Sequence, residues 1–484
     1  MTRPTILLLQ SLSSFGIRMF TLLLTMATAG LAGVTVYFPA SGSTLTSPVH
    51  IRAAATSTHP ITYMRIYLDN VRVWGAPVGG FNTYLNMKAG NHSVVVQAWD
   101  STGAVFKTPL NLVVRSLDGR HQVLSMPFLA GTTHVMGRYG FTQNNFLLEG
   151  ANRIQNFAAP AIFVYMYPHF REAYPDKQAN LWPAVSPTSL TQLAQTAPYK
   201  RLFNMPFRTF VITAYTFANS DNVAGFATDP SMAVTEEKEF YNLTRYLYAT
   251  YAGTGKTFIL KHWEGDWVGL QGYDPSKNIS STMVAAMITW LTARQKGVVN
   301  ARRDADNPLG IGVFHAVEVN RVLDYVLYGM VRVINAVVPV VKPDMVTYSS
   351  YDSSLAGTNS TTTAAVMNQA LNAIKSLTPD PLGLGSHRIL ISEFSLSENV
   401  FPAETIWRSQ TILQTSKSAG LLGAFLWQIY DNNCKTSSGA YYPADSSWGS
   451  LRPTNSQCRG QWLVRPDGSG SSVLAVLSPY WSTQ

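Results

Sequence analysis

The sequence predicts an α/β protein, in which a small all-β sandwich precedes a (β/α)8 barrel of the TIM type. Three observations predict this class. Short alternating apolar segments about 10 residues apart fill residues 34–116, strand and helix patterns alternate eight times between residues 125 and 484, and two of those strands end on a glutamate. With 484 residues the chain is long enough for more than one core.

Residues 34–116 carry six candidate strands, and the residues between them favour turns. The strands begin at Val34, His50, Ile61, Val71, His92 and Leu112. Asp69-Asn70 and Ala89-Gly90-Asn91 supply turns, and this spacing is typical of a small sandwich. The segments Pro39 to Leu45, Ile66 to Asn70 and Gly90 to Asp100 resemble the immunoglobulin-like modules of secreted bacterial carbohydrate-active enzymes. The resemblance implies the fold and leaves open whether the module is a spacer or binds carbohydrate.

From residue 125 onwards, apolar runs alternate with helical patterns. The predicted strands are 134–138, 161–165, 209–213, 257–260, 310–315, 344–348, 388–391 and 423–427, and the helical candidates include 236–251, 281–296, 322–341, 361–377 and 403–419. Eight strand and helix units predict a closed barrel. An open doubly wound sheet is the alternative, but no glycine-rich phosphate loop follows the first strand. The segment 253–256 resembles one superficially, but it precedes a strand.

The first 32 residues are predicted to be a secretory signal. Arg3 and Arg18 precede an apolar run from Met19 to Ala27, and small residues follow between Ala29 and Gly33. A membrane anchor is the alternative, but the run is shorter than the ~20 residues that cross a bilayer. We therefore expect a secreted or extracytoplasmic protein.

Charge and composition exclude several classes of function. The formal net charge is +9 with only 13% charged residues, and no cluster of Lys and Arg is of the kind that follows phosphates, so we expect no nucleic-acid partner. The two cysteines, Cys434 and Cys458, are expected to form a disulfide in an exported protein, with two free thiols as the alternative. The nine histidines lack ligand spacing, so we predict no metal and no cofactor.

Two strands end on a carboxylate, and these residues carry the chemistry. Glu264 closes the fourth predicted strand and Glu393 closes the seventh. Together with Tyr348, Trp427 and the closing Trp462-Leu-Val-Arg-Pro-Asp-Gly-Ser469, they resemble clan A of the glycoside hydrolases. That resemblance implies an acid/base after strand four and a nucleophile after strand seven, hence Glu264 as acid/base and Glu393 as nucleophile of a retaining enzyme.

The chemistry explains why carboxylates are needed at both positions. Retention requires one carboxylate to attack the anomeric carbon and one carboxylic acid to protonate the leaving oxygen, about 5–5.5 Å apart. We expect Tyr348 or Tyr351 to donate a hydrogen bond to Glu393. We expect a less polar setting to raise the pKa of Glu264.

The sequence departs from the clan pattern next to the acid/base. Asn usually precedes that residue and binds the sugar 2-hydroxyl, whereas this chain has Trp263. Glu318, near the end of the fifth predicted strand, is therefore an alternative acid/base.

Several further residues are predicted to bind substrate. They are Trp427 as a sugar platform, together with Tyr348, His315, Arg138 and Trp263, and the rim aromatics Trp182, Trp267 and Tyr273 would complete a cleft for oligosaccharides. His315 and Arg138 have a structural role as the alternative, and Trp427 could instead be a core residue.

The leading hypothesis is a secreted retaining glycosidase that cleaves β-linked polysaccharides or oligosaccharides. The alternative is a carbohydrate-binding or cell-surface protein with a degenerate barrel. A metal-dependent hydrolase or an aldolase is not favoured, because no strand ends in a His-x-His pair, the sixth strand has no Lys, and strand alternation puts Lys261 opposite Glu264.

Overall fold

The computed structural model describes residues 32–176, 180–306, 308–443 and 452–482. The predicted signal lies outside the described residues except for its last residue. An all-β part precedes a barrel, so the predicted fold class is confirmed.

The all-β part is a sandwich of two sheets. Its eight strands are β1 (Gly33–Phe38), β2 (Thr44–Thr46), β3 (Val49–Thr56), β4 (Ile61–Leu68), β5 (Val71–Ala76), β6 (Gly80–Leu85), β7 (Gly90–Asp100) and β8 (Val105–Arg115). One sheet has the order β1-β3-β6 and the other β2-β8-β7-β4-β5. Alternate residues such as Met64, Ile66, Val94 and Val96 form the core between the sheets. Sequence patterns missed β2 and β6, because β2 has three residues and β6 contains Gly80 and Asn82.

The barrel closes with eight parallel strands in chain order. They are β9 (Leu129–Thr133), β10 (Ala161–Met166), β11 (Thr209–Ala214), β12 (Lys256–Lys261), β13 (Ile311–Val319), β14 (Met345–Ser349), β15 (Ile389–Phe394) and β16 (Gly423–Leu426), and β16 pairs with β9. An inner cluster that includes Phe163, Val211, Ile259, Leu390 and Phe425 fills the middle of the barrel. Polar side chains occupy its carboxyl end, where barrel enzymes place their active sites.

Fifteen α-helices are present in the described part of the chain. They are α1 (Gly119–Leu124), α2 (Phe146–Asn156), α3 (Phe170–Ala173), α4 (Leu190–Ala194), α5 (Ala197–Asn204), α6 (Pro230–Tyr251), α7 (Gly265–Leu270), α8 (Ser281–Asp304), α9 (Val322–Tyr328), α10 (Val333–Ala336), α11 (Val338–Val341), α12 (Tyr351–Ser354), α13 (Ser360–Leu377), α14 (Thr405–Ser418) and α15 (Ser472–Ser482). Helix α6 begins six residues before the predicted start, because Asp229 accepts a hydrogen bond from Ser231 N–H and Pro230 occupies the first turn.

The helix predicted over residues 322–341 is broken into α9, α10 and α11. Gly329, with φ +66°, ends α9 in a left-handed conformation that glycine adopts without strain. No single helix among the described residues is long and apolar enough to cross a membrane, and the pair 322–328 and 333–341, which passes such a test jointly, is bent by 80°.

The first barrel strand was predicted at the wrong place. We expected it at 134–138, but β9 ends at Thr133 and residues 134–138 belong to the loop that follows. The ring of Phe425 fills the space beside Gly131, and Ala130 and Gly131 are residue types that strand patterns do not favour. Arg138 is consequently a loop residue and does not end a strand.

The sandwich contacts the amino-terminal end of the barrel at β12. Nζ of Lys256 lies 2.7 Å from the carbonyl oxygen of Met205 and 3.3 Å from Oδ1 of Asn86, which follows β6. Lys256 is thus a buried lysine at the end of β12 opposite the predicted site.

Candidate active site

Glu264 lies three residues beyond β12, in a strained backbone conformation. Its φ is +23° and its ψ is +73°, and it directly precedes α7. The N–H of Glu264 donates to Oε2 of Glu318 at 2.7 Å. Unusual backbone angles of this kind cost about 1–3 kcal/mol and persist only where the surroundings hold them. The residue is 8% exposed at the carboxyl end of the barrel.

Glu393 lies in β15 and shares a hydroxyl group with Glu264. Oγ of Ser349, at the end of β14, lies 2.7 Å from Oε1 of Glu264 and 3.4 Å from Oε2 of Glu393. Those two carboxyl oxygens are therefore at most 6.1 Å apart. Carboxyl groups of inverting glycosidases are about 6.5–9.5 Å apart, and those of retaining ones about 5–5.5 Å. The limit for this oxygen pair favours the shorter spacing of retaining enzymes.

Lys261 lies inside the barrel, between carboxylates. Its Nζ is 2.6 Å from Oε2 of Glu318 and 4.0 Å from Oε1 of Glu393, and the side chain is fully buried. The prediction that strand alternation separates Lys261 from the site was wrong. Alternation holds only along extended backbone, whereas β12 ends at Lys261 and Glu264 has a positive φ.

Glu318 is fully buried in β13, and protein donors engage both of its oxygens. Oε1 accepts a hydrogen bond from the hydroxyl of Ser392. Oε2 accepts from Lys261 and from the N–H of Glu264. The carboxylate therefore links β12, β13 and β15 beneath the two strand-end glutamates.

Burial and neighbouring charges perturb both glutamates. Burial raises the pKa of Glu264 to about 7, and the charge of Glu318 adds to this, while Ser349 and Lys261 act in the opposite direction. Burial also raises the pKa of Glu393 well above its usual range, and Glu318 and Glu264 raise it further, whereas Lys261 and Ser349 lower it. Such a pair shares its protons, and its two titrations belong to both groups together.

Two residues predicted to bind substrate point away from the site. His315 is buried on the outer face of β13, where Nδ1 lies 2.9 Å from Oε1 of Gln295 in α8. Tyr348 is buried on the outer face of β14 and donates to Asp352 and, at 2.8 Å, to Ser353. Neither can contact a substrate or Glu393 from these positions, and both predictions are corrected.

Ser349 and Tyr351, close to Tyr348 in the sequence, lie on the side of the carboxyl pair where Tyr348 was expected. Ser349 faces the carboxylates because side chains alternate along β14, and the same alternation could have identified it in the sequence. Burial raises the pKa of Tyr351 well above its usual range, and the charges of Glu393 and Glu264 add to this, so its phenol lies within electrostatic range of the pair. Tyr351, the other predicted donor, is thus close to the nucleophile candidate.

A cleft of about 810 Å³ lies next to the carboxylates. Aromatic residues that line it are Tyr165, Tyr167, Tyr215, Trp263 and Trp427, and polar ones include Asp221, Asn222, Gln271 and Asn432. Neither Glu264 nor Glu393 forms part of its wall, but Tyr165 both lines the cleft and lies within electrostatic range of the carboxyl pair. Burial, and then the charge of Glu393, raises the pKa of this phenol well above its usual range. Tyr165 is the last residue of the strand predicted over 161–165 and the penultimate residue of β10, so the strand-end rule could have found it.

The other predicted rim residues divide into supporting and remote positions. Arg138 donates from Nε to the carbonyl oxygen of Asn432 at 3.0 Å and lies over the ring of Tyr441, so it supports a residue of the cleft wall from behind. Trp182 is a core residue packed against Phe170, so its assignment to the cleft was wrong. Trp267 and Tyr273 pack together outside the cleft wall.

The loop after β16 carries a disulfide between Cys434 and Cys458. In the described part of the chain, these sulfurs and Asp431 are the one group with the composition of a metal site. Because both sulfurs are in the disulfide, the group does not provide thiolate ligands.

No protein-family model and no curated protein matches the chain. Solved structures that resemble it include fibronectin(III)-like modules of Clostridium thermocellum CbhA, with 20% identity over 17% of this chain and 96% of that one and a TM-score of 0.16. Bacteroides uniformis β-glucuronidase 2, covalently bound to cyclophellitol-6-carboxylate aziridine, has 8% identity over 94% of this chain and a TM-score of 0.44. This chain covers 50% of that enzyme, and thus spans about half its length.

A Bacteroides ovatus GH5 xyloglucanase in complex with a XXXG heptasaccharide has 9% identity over 92% of this chain and 98% of that one, with a TM-score of 0.39. Two of these structural neighbours are glycoside hydrolases, and the third consists of fibronectin(III)-like modules. The likeness is one of fold, and the chemical assignment depends on the geometry of the site.

Proposed function

We propose that this protein is a secreted retaining glycoside hydrolase acting on β-linked polysaccharides or oligosaccharides. The observation that carries the proposal is the contact of Ser349 with both Glu264 and Glu393, which limits the separation of their nearest oxygens to 6.1 Å. Close carboxyl groups are typical of retaining enzymes, because inverting enzymes need a larger separation to hold a water between carboxylate and sugar.

The two glutamates have different roles in this proposal. Oε2 of Glu393 attacks the anomeric carbon and forms the glycosyl ester, while the bond to the leaving oxygen breaks and Glu264 protonates that oxygen. Water then attacks the same carbon, gives its proton to Glu264 and releases Glu393. A pKa of Glu264 near 7 supports the role of an acid at neutral pH.

The surroundings of Glu318 favour Glu264 as the acid/base. Glu318 is fully buried, and Lys261, Ser392 and a backbone N–H engage its oxygens. Glu264 keeps 8% exposure, and the side chain of the preceding Trp263 lines the cleft. A proton on Glu264 can therefore reach a bound sugar, whereas one on Glu318 would remain among protein groups.

The aromatic cleft supports a carbohydrate substrate. Faces of Trp and Tyr rings pack against the apolar faces of sugars. Trp263 follows β12 and Trp427 follows β16, so they are distant in the sequence, but both line this cleft. Asp221 and Asn222 supply polar groups for hydroxyls at its edge. Trp427 is proposed as the platform nearest the nucleophile.

One observation favours the alternative of a binding protein with a degenerate barrel. Glu393 is only 3% exposed and the cleft wall does not include it. In that case sugars would bind in the cleft without being cleaved.

Turnover distinguishes the two functions. The wild type, Glu264→Gln and Glu393→Gln are assayed on aryl β-glycosides and on soluble glucans, mannans and xylans. Hydrolysis by the wild type with loss in both variants supports the enzyme. Oligosaccharide binding by calorimetry, without turnover in the wild type, supports the binding protein.

Export is proposed on two grounds. The sequence has the apolar run from Met19 to Ala27, and the fold contains a disulfide, which is typical of oxidising compartments. Amino-terminal sequencing of protein from the culture medium tests it, and a mature chain beginning near residue 33 is expected. Retention of Met1 in intact cells would contradict export.

A further inference from the structure

Beneath the carboxyl pair lies a second pair, which the catalytic steps above do not use. Nζ of Lys261 is 2.6 Å from Oε2 of Glu318, and both side chains are fully buried. The same Nζ lies over the ring of Phe163, 4.4 Å from its centroid. A lysine and a glutamate that are both removed from water must compensate each other, because each charge alone is costly in the interior.

The position of Lys261 relative to Glu393 distinguishes the two oxygens of the nucleophile candidate. Oε1 of Glu393 is buried without a hydrogen bond and faces Nζ of Lys261 at 4.0 Å. Oε2 is the oxygen near Ser349 and thus near Glu264. The cation therefore lies on the side of the carboxylate opposite to the oxygen that would attack the sugar.

Glu318 accepts hydrogen bonds from groups that position both catalytic candidates. It holds the backbone N–H of Glu264, and it accepts a hydrogen bond from Ser392, the residue before Glu393. Its negative charge also raises the pKa of both glutamates. One group thus fixes geometry on both sides of the site while its negative charge opposes ionisation of the glutamates above it.

We propose that Lys261 and Glu318 are positioning residues of opposite electrostatic effect, which together set the pH range in which the pair of Glu264 and Glu393 holds one proton. Lys261 favours the ionised nucleophile and Glu318 favours retention of the proton. Glu318 is needed because it anchors Lys261. This inference rests on the proposed function for its kinetic consequence, but its electrostatic part concerns the carboxyl groups themselves.

The other groups that face the pair act on it equally in the variants below. They are Asp266 beyond β12, Ser349 at the end of β14, Tyr351 in α12 and Tyr165 in β10. None of these is changed, so a difference between variants reports Lys261 or Glu318.

The test compares Lys261→Met and Glu318→Gln with the wild type by the pH dependence of kcat/KM on an aryl β-glycoside. Loss of the cation raises the pKa of both glutamates, so Lys261→Met should move the profile to higher pH. Loss of the anion lowers them, so Glu318→Gln should move it to lower pH. We expect shifts of at least about one pH unit in opposite directions, since a unit charge close to a buried carboxylate, as Lys261 is to Glu393, is screened less than in water.

Lys256→Met is the matched control. Lys256 is a buried lysine in the same strand, but its Nζ contacts carbonyl oxygens at the opposite end of the barrel. Its removal should leave the profile unchanged. If Lys261→Met fails to fold, Lys261→Met/Glu318→Gln is compared with Glu318→Gln, and the double variant should have its profile at higher pH.

A second measurement separates this inference from the proposed function. Titration of ¹³C-labelled glutamate carboxyl groups by NMR, assigned with Glu264→Gln and Glu393→Gln, needs no turnover. Opposite shifts of these carboxyl titrations in a protein without hydrolytic activity would support the positioning pair and overturn the proposed function. Folded variants whose titrations do not move, or move in the same direction, would overturn the inference whether or not the protein is an enzyme.

Discussion

The carboxylate of Glu318 accepts a hydrogen bond at 2.7 Å from the backbone N–H of Glu264, the residue whose φ is +23°. A buried side chain thus pairs with the backbone N–H of the strained residue. The turn changes the direction of the chain after β12, and so the Glu264 side chain reaches Ser349. Glu318 therefore helps to fix the position of the acid/base candidate and, after burial, adds to its raised pKa.

The buried ion pair predicts a strong effect on stability. Lys261→Met leaves Glu318 charged and unpaired in the interior, so we expect the stability of the barrel to fall by about 3–5 kcal/mol. Lys261→Met/Glu318→Met removes both charges and should be more stable than Lys261→Met alone. Urea unfolding followed by tryptophan fluorescence measures this double-mutant cycle. If the stability lost in the double variant equals the sum of the losses in Lys261→Met and Glu318→Met, the two charges do not compensate each other.

The raised pKa values predict activity near neutral pH. Burial raises the pKa of Glu264 to about 7, so activity should decline as pH rises above that value and the acid loses its proton. Burial also raises the pKa of Glu393, so protonation should inactivate the nucleophile at a pH above the usual carboxyl range. The profile of kcat/KM should be a bell whose limbs belong to the pair. An optimum below about pH 5 would contradict this environment.

The hydroxyl of Ser349 should assist both glutamates. Its hydrogen bonds lower the pKa of each, so Ser349→Ala should move the pH profile upward. Loss of a hydrogen bond to a charged group should also reduce kcat/KM about tenfold or more. Ser350→Ala is the control, because its Oγ contacts the backbone oxygen of Glu393 at 3.2 Å. An unchanged profile in Ser349→Ala, or the same change in both variants, would exclude this role.

Trp427 should contribute to substrate binding more than to the chemical step. Trp427→Ala removes an aromatic face from the cleft, and we expect KM to rise about three- to tenfold. Trp267→Ala is the control, because Trp267 packs against Tyr273 outside the cleft wall. Steady-state kinetics on an oligosaccharide measure both. Equal effects of the two substitutions would argue against a platform at Trp427.

The sequence predicted the fold because apolar runs and helical patterns are strong signals in a parallel barrel. Seven of its eight strands follow such runs, from β10 at Ala161–Met166 to β16 at Gly423–Leu426. The exception is β9, in which Gly131 leaves space for Phe425. Ala130 and Gly131 weaken the apolar pattern of this strand. Phe425, which packs against Gly131, is distant in the sequence, so the pattern does not reveal it.

The candidate site was predictable only in part. Counting strands brought Glu264 and Glu393 to one end of the barrel, since the carboxyl ends of parallel strands meet there. Lys261 was assigned to the wrong side because a positive φ at residue 264 interrupts alternation, and a sequence does not reveal that angle. Tyr348 was assigned to the site as the last residue of the sixth predicted strand, whereas β14 ends one residue later at Ser349, and one residue reverses which side chain faces inward.

The most direct test of the two glutamate roles is azide rescue of Glu264→Ala and Glu393→Ala, with the anomeric configuration of the products determined by NMR. Glu264→Ala should still form the glycosyl ester with an activated aryl glycoside, and azide should then give the β-glycosyl azide. Glu393→Ala lacks the nucleophile, so azide should attack directly and give the α-glycosyl azide. An α-azide from Glu264→Ala, or inversion by the wild type, would contradict the assignment of Glu393 as the nucleophile of a retaining glycosidase.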